Sequence, residues 1–256
     1  MKKHYNKKLL AFTLAEVLIT LGIIGIVAAL TIPALISGYQ KKQTAIQLKK
    51  AYSEINQAIL ISQAKYGTLD QWDLSNIGTQ AEQNTYFGEH YLLPNIKTLR
   101  VCTPTSAECW AEKTYTLDGH ERNVHNSANQ DFDNSFIAAA GYSVHYWVHM
   151  VGNGGWLFID VNGPKKPNII GKDIFPFIMS WGNATQNPSA KADRCQGYKL
   201  GLYPSGLACK ILPTREELIN GETYNCKKGT NHSLAGYNCS ALIMYDNWEI
   251  AKDYPW

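Results

Sequence analysis

FTLAEVLITLGIIGIVAALTIPALI, residues 12–36, is the stretch that decides the architecture of this chain. Its 25 residues include a single charged side chain, Glu16. A helix rises about 1.5 Å per residue, so this stretch would extend roughly 37 Å and could cross a hydrocarbon layer of about 30 Å. The sequence therefore predicts one transmembrane helix near the amino terminus.

The net positive charge of the chain comes from the residues just before this stretch. Residues 1–11 contain four lysines and no acid, whereas the other residues hold 20 Lys and Arg against 21 Asp and Glu. The body therefore lacks the net positive field that favours nucleic-acid binding, and nucleic acid is not indicated as a partner. The flank after the apolar stretch is also rich in lysine, so charge alone does not fix the membrane topology.

A cleaved secretory signal is the alternative interpretation of the apolar stretch, since Ala28 and Ala29 are small residues of the kind that signal peptidase accepts. Glu16 argues against it. A carboxylate in an apolar segment is unfavourable unless it has a partner. We therefore expect the helix to be retained.

The amino terminus resembles that of the type IV pilin and type II secretion pseudopilin superfamily. The matching features are the lysine leader, the small residue Ala11, the sequence Phe12-Thr13-Leu14, and Glu16 at the fifth place after Ala11. Pro33 within the apolar run also matches. Two positions depart from the family pattern, which usually has Gly in place of Ala11 and a larger aliphatic residue in place of Ala15.

The resemblance implies a processing pathway. A prepilin peptidase would cut between Ala11 and Phe12 and methylate the new amino terminus of Phe12. The mature chain would lie in the inner membrane as a single-pass protein, with a cytoplasmic amino terminus and a periplasmic or extracellular head. Assembly machinery with a cytoplasmic ATPase would then move it from membrane lipid into a filament with other pilin-like subunits.

Glu16 is the expected assembly residue. Processing would place an α-ammonium on Phe12, and opposite charges attract strongly in an apolar environment. The pair can form within one helix or between neighbouring subunits, and the resemblance favours the second arrangement. Snorkelling of Glu16 to the membrane surface is the alternative.

The helix is expected to continue through residues 37–66, because mainly apolar residues recur at spacings of three and four. They are Ala45, Leu48, Tyr52, Ile55, Ile59, Ser62 and Tyr66. Gly67 is well placed to end it. Pro33 lacks a backbone donor and predicts a kink in the membrane half.

Residues 68–256 are predicted to form a globular head. Alternating residues at 142–151 and 156–161 flank an Asn-Gly-Gly turn and predict a hairpin, which residues 174–178 extend into an antiparallel meander. Residues 241–245 and 248–250 predict a further strand or hairpin. The predicted fold class is α+β, with a long amino-terminal helix packed on an antiparallel sheet.

Six cysteines, all in the head, predict disulfides and an oxidising compartment. They are Cys102, Cys109, Cys195, Cys209, Cys226 and Cys239. The spacing favours Cys102 with Cys109. The other four can pair as Cys195 with Cys209 and Cys226 with Cys239, or otherwise.

Candidate ligands for a metal are few. Asp160, Asn162 and Asp173 supply oxygen donors suited to calcium, which some type II secretion pseudopilins bind in their heads, although Asp and Asn also build ordinary turns. His145 and His149 share one strand face and are weak zinc candidates, and an exposed strand face is the ordinary explanation.

Two functions fit these observations. No catalytic motif is recognisable, so no enzymatic activity and no cofactor other than calcium are expected. The first hypothesis is a structural subunit of a type IV pilus-like filament or a secretion pseudopilus. The alternative is a minor or tip subunit whose head binds a surface, DNA or a secreted substrate.

Overall fold

The computed structural model describes residues 13–122, 133–149, 154–181, 199–209, 211–222, 224–230 and 233–256. The chain divides into two compact units, Met1–Lys41 and Lys42–Trp256. A long amino-terminal helix and an antiparallel six-stranded sheet are present, so the predicted α+β fold is confirmed.

Helix α1 spans Leu14–Tyr66 and is 53 residues long. It ends where predicted: Gly67 has a φ of +90°, a left-handed conformation that favours glycine, and its N–H donates to Gln63 O at 3.0 Å. The positions of its second half that are buried in the head, Leu48, Ala51, Ile55 and Ile59 among them, follow a spacing of three and four. One stripe of this half is therefore buried.

The sheet has its strands in sequence order, and every neighbouring pair is antiparallel. The strands are β1 (Thr98–Cys102), β2 (Asn134–Ala138), β3 (Ser143–His149), β4 (Gly154–Asp160), β5 (Ile174–Ser180) and β6 (Gly201–Pro204). Strands β3, β4 and β5 form the meander predicted from the sequence, and the turn between β3 and β4 lies outside the described residues.

The helix packs on one face of this sheet. Leu48 and Ile55 of α1 belong to the same buried cluster as Val144 of β3 and Leu157 of β4. Tyr52 adds a specific contact, because its O–H donates to the backbone oxygen of Leu202 at 3.2 Å. Helix packing and strand alternation therefore bury a common core.

The described part of the head also contains three short α-helices: α2 (Gln80–Phe87), α3 (Arg215–Asn220) and α4 (Cys239–Tyr245). Helix α4 corrects the prediction of a strand at residues 241–245. Its residues from Cys239 to Ile243 are all buried, and a short continuous apolar run does not distinguish a strand from a buried helix. The predicted strand at 248–250 is also wrong, because Asn247 and Trp248 have φ values of 58° and 65°.

Candidate functional sites

The amino terminus of α1 is closed by a capping box. Thr13 donates from its backbone N–H and its hydroxyl to Glu16 Oε2, both at 2.9 Å, and its hydroxyl oxygen accepts from the Glu16 N–H at 3.2 Å. The Thr-x-x-Glu signature of this cap is readable in the sequence at residues 13–16 but was not among the predicted features. Glu16 therefore has a local structural role in addition to the assembly role predicted for it. Ala11 and Phe12 lie outside the described residues.

The first half of α1 is apolar and exposed. Among the described residues, α1 is the one helix long and apolar enough to cross a membrane. Between Leu14 and Ile36 its side chains are mostly exposed, and Glu16 is the one charged residue. The helix continues without a break through Pro33, so the proline does not unfold it locally.

The turn between β4 and β5 collects the residues predicted as oxygen ligands. Asp160 ends β4, and Asp173 immediately precedes β5. The Asp173 carboxylate accepts the backbone N–H groups of Asn168 at 2.7 Å and Ile169 at 2.6 Å. Asp160 Oδ1 accepts the backbone N–H of Asn162 at 3.1 Å. Both carboxylates are buried.

The Asn162 amide lies between the two carboxylates. One of its terminal positions lies 2.6 Å from Asp160 Oδ1, 3.0 Å from Gly163 O and 3.1 Å from Lys165 O. All three are acceptors, so the amide nitrogen belongs there. The amide oxygen then takes the other position, 3.4 Å from both Asp173 Oδ2 and Lys166 O.

Burial shapes the electrostatics of this turn. Burial raises the pKa of the Asp160 carboxyl well above its ordinary value, and the nearby Asp173 charge raises it further. Burial also raises the pKa of Asp173, although the N–H groups of Ile169 and Asn168 act in the opposite direction. The two buried carboxylates repel each other when both are charged.

Comparison with known proteins assigns the chain to a family. A model for a family of unknown function, DUF6613, matches residues 34–256. The chain belongs to this family. No curated protein and no solved structure matches it. The DUF6613 match includes the head and the β4–β5 turn, and residues 1–33 precede it.

Two disulfides with both cysteines described lie within residues 34–256, the region that the DUF6613 model matches. Cys102 pairs with Cys109, as the spacing favoured, and Cys226 pairs with Cys239, which is one of the pairings that the sequence left open. Cys209 is also disulfide-bonded, and its predicted partner Cys195 lies outside the described residues. The described cysteines include no free thiol.

His145 does not lie on an exposed face, which corrects the expectation from the sequence. It is fully buried, with Nε2 at 3.6 Å from Asp133 Oδ2 and Nδ1 at 3.3 Å from the Thr105 hydroxyl. The Trp110 ring covers it at a centroid distance of 5.3 Å. The side chain of His149, the other zinc candidate, lies outside the described part of the structure. The described residues contain no cluster of three or more His, Cys, Asp or Glu that could hold a metal.

Proposed function

We propose that the chain is a structural subunit of a type IV pilus-like filament or a type II secretion pseudopilus. The observation that supports the proposal is that the two halves of α1 differ in what surrounds them. The first half is exposed and apolar with one acid at its start, and the second half buries a stripe against an antiparallel sheet. A single helix with these two parts suits a subunit that leaves lipid and packs through the same surface into a filament.

The proposed pathway begins in the inner membrane. A prepilin peptidase cuts between Ala11 and Phe12 and methylates Phe12, and the helix remains in the bilayer with the head on the periplasmic side. The disulfides support an oxidising location for the head. A cytoplasmic ATPase and its membrane partners then extract the subunit into the filament.

Glu16 would guide this assembly. Both capping bonds from Thr13 end on Oε2, so Oε1 can accept a bond from the Phe12 amine of a neighbouring subunit. The attraction is strong because little water is present to screen the charges. Each added subunit would then be placed in register by this ion pair.

Two substitutions separate this role from capping. Glu16→Gln retains an oxygen that can accept the Thr13 bonds but removes the charge, and Glu16→Ala removes both. If the charge is needed, both variants enter the membrane with a folded head and both lose filaments, measured as subunit recovered after shearing. Glu82→Gln alters the equivalent capping box of α2 and is the matched control, expected to assemble normally.

Normal filaments from Glu16→Gln would contradict the ion-pair argument and leave capping as the role of Glu16. Mass spectrometry of the mature protein gives an independent check, since we expect Phe12 as the first residue with one added methyl group. A mature chain beginning near Leu30 would indicate signal peptidase and contradict the filament proposal altogether.

A minor or tip subunit is the second candidate. A row of half-buried aromatic side chains favours it: Trp147 of β3 pairs with Trp156 of β4, and Ile178 separates Trp156 from Tyr203 of β6 on the same face. Such a row suits recognition of a flat or apolar ligand. Quantifying the subunit in sheared filaments decides between the two, because a tip subunit is scarce and a main component is abundant.

A further inference from the structure

The second half of α1 has a second stripe, which lies outside the core of the head. Its members Lys42, Ile46, Lys49 and Leu60 follow one another at intervals of four, three and eleven residues, so they lie on one side of the helix. Ile46 is 57% exposed and Leu60 is 58% exposed, and both lysines are exposed. This outer stripe therefore presents apolar and positively charged side chains to its surroundings.

The segment that follows α1 has the opposite charge. Residues 67–95 contain four acids and no Lys or Arg, whereas residues 42–66 contain four lysines and one acid. All four acids of residues 67–95 are exposed. Asp70, Asp73, Tyr86 and Glu89 are called the acidic patch below. The outer stripe and the acidic patch both belong to the unit Lys42–Trp256, and they are complementary in charge.

Stacked aromatic rings hold the acidic patch in place. Trp72 stacks on Tyr91 with a centroid distance of 4.0 Å, and Tyr91 lies 6.0 Å from Tyr86. Asp73 directly follows Trp72 in the chain. Glu89 lies three residues after Tyr86. Both acids therefore border one aromatic cluster, which fixes the backbone that carries them.

A groove of about 600 Å³ opens beside Glu89. Ile77 and Tyr86 give the groove apolar surface, and none of its described lining residues is Lys or Arg. Glu82 also lines it, but Glu82 Oε2 already accepts both bonds of the Thr79 cap. Glu89 is thus the lining acid that remains for another partner. The groove suits an aliphatic side chain together with a lysine whose ammonium group reaches Glu89.

The outer stripe and the acidic patch do not pair within one chain. The ion pairs among the described residues involve neither the lysines of the stripe nor the acids of the patch. A second copy supplies the missing partner, because every copy has one stripe and one patch. A contact between unlike surfaces lets each copy bind one neighbour through its stripe and another through its patch, which gives an open assembly.

A lipid surface does not fit the outer stripe. From Lys42 to Leu60 the stripe runs about 27 Å along α1 at about 1.5 Å per residue, whereas the headgroup layer on one side of a bilayer is roughly 5–8 Å thick. A helix that crosses the bilayer cannot place the whole stripe among headgroups.

We propose that the outer stripe of one copy docks on the acidic patch of a second copy. Lys42 and Lys49 face Asp70 and Glu89, and Ile46 enters the groove. The inference rests on the filament function proposed above and adds to it the surface through which a stem meets a neighbouring head. It is separate from the ion pair proposed at the start of α1.

Charge reversal on the two surfaces tests the contact. The stripe variant combines Lys42→Glu with Lys49→Glu, and the patch variant combines Asp70→Lys with Glu89→Lys. All four residues are exposed, so both variants should fold, which near-ultraviolet circular dichroism checks. Self-association of the full chain in dodecyl maltoside micelles is measured by sedimentation velocity.

Each variant alone should self-associate at least about tenfold more weakly than the original chain, because its stripe and its patch have the same charge. An equimolar mixture of the two variants should recover to within about threefold of the original chain, because every stripe then finds a patch of opposite charge. A chain with Lys252→Glu and Glu222→Lys, two exposed residues outside both surfaces, is the charge-matched control and should associate like the original chain.

Carbodiimide cross-linking gives an independent measurement, since it joins a lysine only to a carboxylate in direct contact. Unlabelled and ¹⁵N-labelled original chains are mixed before the reaction. We expect mass spectrometry to find mixed-isotope peptides that join Lys42 or Lys49 to Asp70, Asp73 or Glu89.

The contact is refuted if the mixed variants associate no better than each variant alone, or if the control is weakened as much as they are. Cross-links confined to single-isotope peptides would refute it as well. Normal filaments from both variants would refute the contact and leave the filament function standing. Mixed-isotope cross-links and recovered association in micelles, without filaments from the original chain in cells, would refute the filament function and leave the contact standing.

Discussion

Two leucines on different sides of α1, one buried and one exposed, offer a direct measurement of how the second half of the helix is used. Leu48 is 0% exposed and lies in the core shared with the sheet, whereas Leu60 is 58% exposed. Replacing either by alanine removes the same atoms from the same helix. Alanine has the higher helix propensity, so any loss of stability must come from packing.

The expected magnitudes differ clearly. Leu→Ala in a close-packed core lowers the free energy of unfolding by about 2–5 kcal/mol, because apolar contacts are lost and a cavity is left. For a domain of this size, a loss of about 3 kcal/mol lowers the unfolding midpoint by roughly 6–12 °C. Leu60→Ala should change the free energy by less than about 0.5 kcal/mol.

Near-ultraviolet circular dichroism of the tryptophans in detergent follows unfolding of the head in both variants. Equal midpoints for Leu48→Ala and Leu60→Ala would refute the packing of α1 described above. Under the filament proposal, Leu60→Ala has a second expected effect: fewer filaments from a head of normal stability, because an exposed apolar residue on the stem is available to a neighbouring subunit.

A disulfide and a group of ion pairs are also expected to stabilise the head. Replacing Cys226 and Cys239 by alanine opens a loop with a sequence separation of 13 and should lower the free energy of unfolding by about 3 kcal/mol, measured by guanidinium titration. A transition unchanged from that of the oxidised original chain would contradict this. Arg215 bonds to both Asp246 and Asp253, so Arg215→Gln should lower stability by about 1 kcal/mol. Arg100→Gln breaks one more exposed ion pair and should have almost no effect, and equal losses would indicate that the double pairing of Arg215 adds nothing.

The sequence predicted those elements that carry a strong local pattern. Alternating residues on both sides of the sequence Asn-Gly-Gly are enough to predict β3 and β4, although β4 already begins at Gly154, and the periodic stripe together with Gly67 predicts the end of α1. These signals are local, so they can be read without knowing what the element packs against.

Strands β1, β2 and β6 escaped prediction for the opposite reason. Strand β1 has Arg100 at its centre, β2 has five residues, and β6 has four and ends at Pro204. None of these strands has an alternating pattern long enough to distinguish it from a loop in the sequence. Each is held by a neighbouring strand, and that tertiary contact decides its conformation.

In the candidate sites too, the sequence shows which residues are present locally but not which distant segments bury them. The oxygen-rich composition of the β4–β5 turn is visible in the sequence, but the burial of Asp160 and the orientation of the Asn162 amide are not. Likewise, His145 lies on a predicted strand, yet only the structure shows the Trp110 ring that covers it. Burial by distant segments is what local pattern cannot supply.

The charge of Glu16 is more than its capping role requires. The chain uses the same Thr-x-x-Glu capping box at α2 and α3, where Glu82 and Glu217 lie at exposed helix starts. Capping alone requires only an acceptor, and Gln serves in the same position. In a helix that is apolar from Leu14 to Ile36, a charged acceptor is far less favourable than a neutral one. The charge on Glu16 therefore calls for a positive partner beyond its own cap, and the amine of a processed neighbouring chain is the partner that the filament proposal supplies.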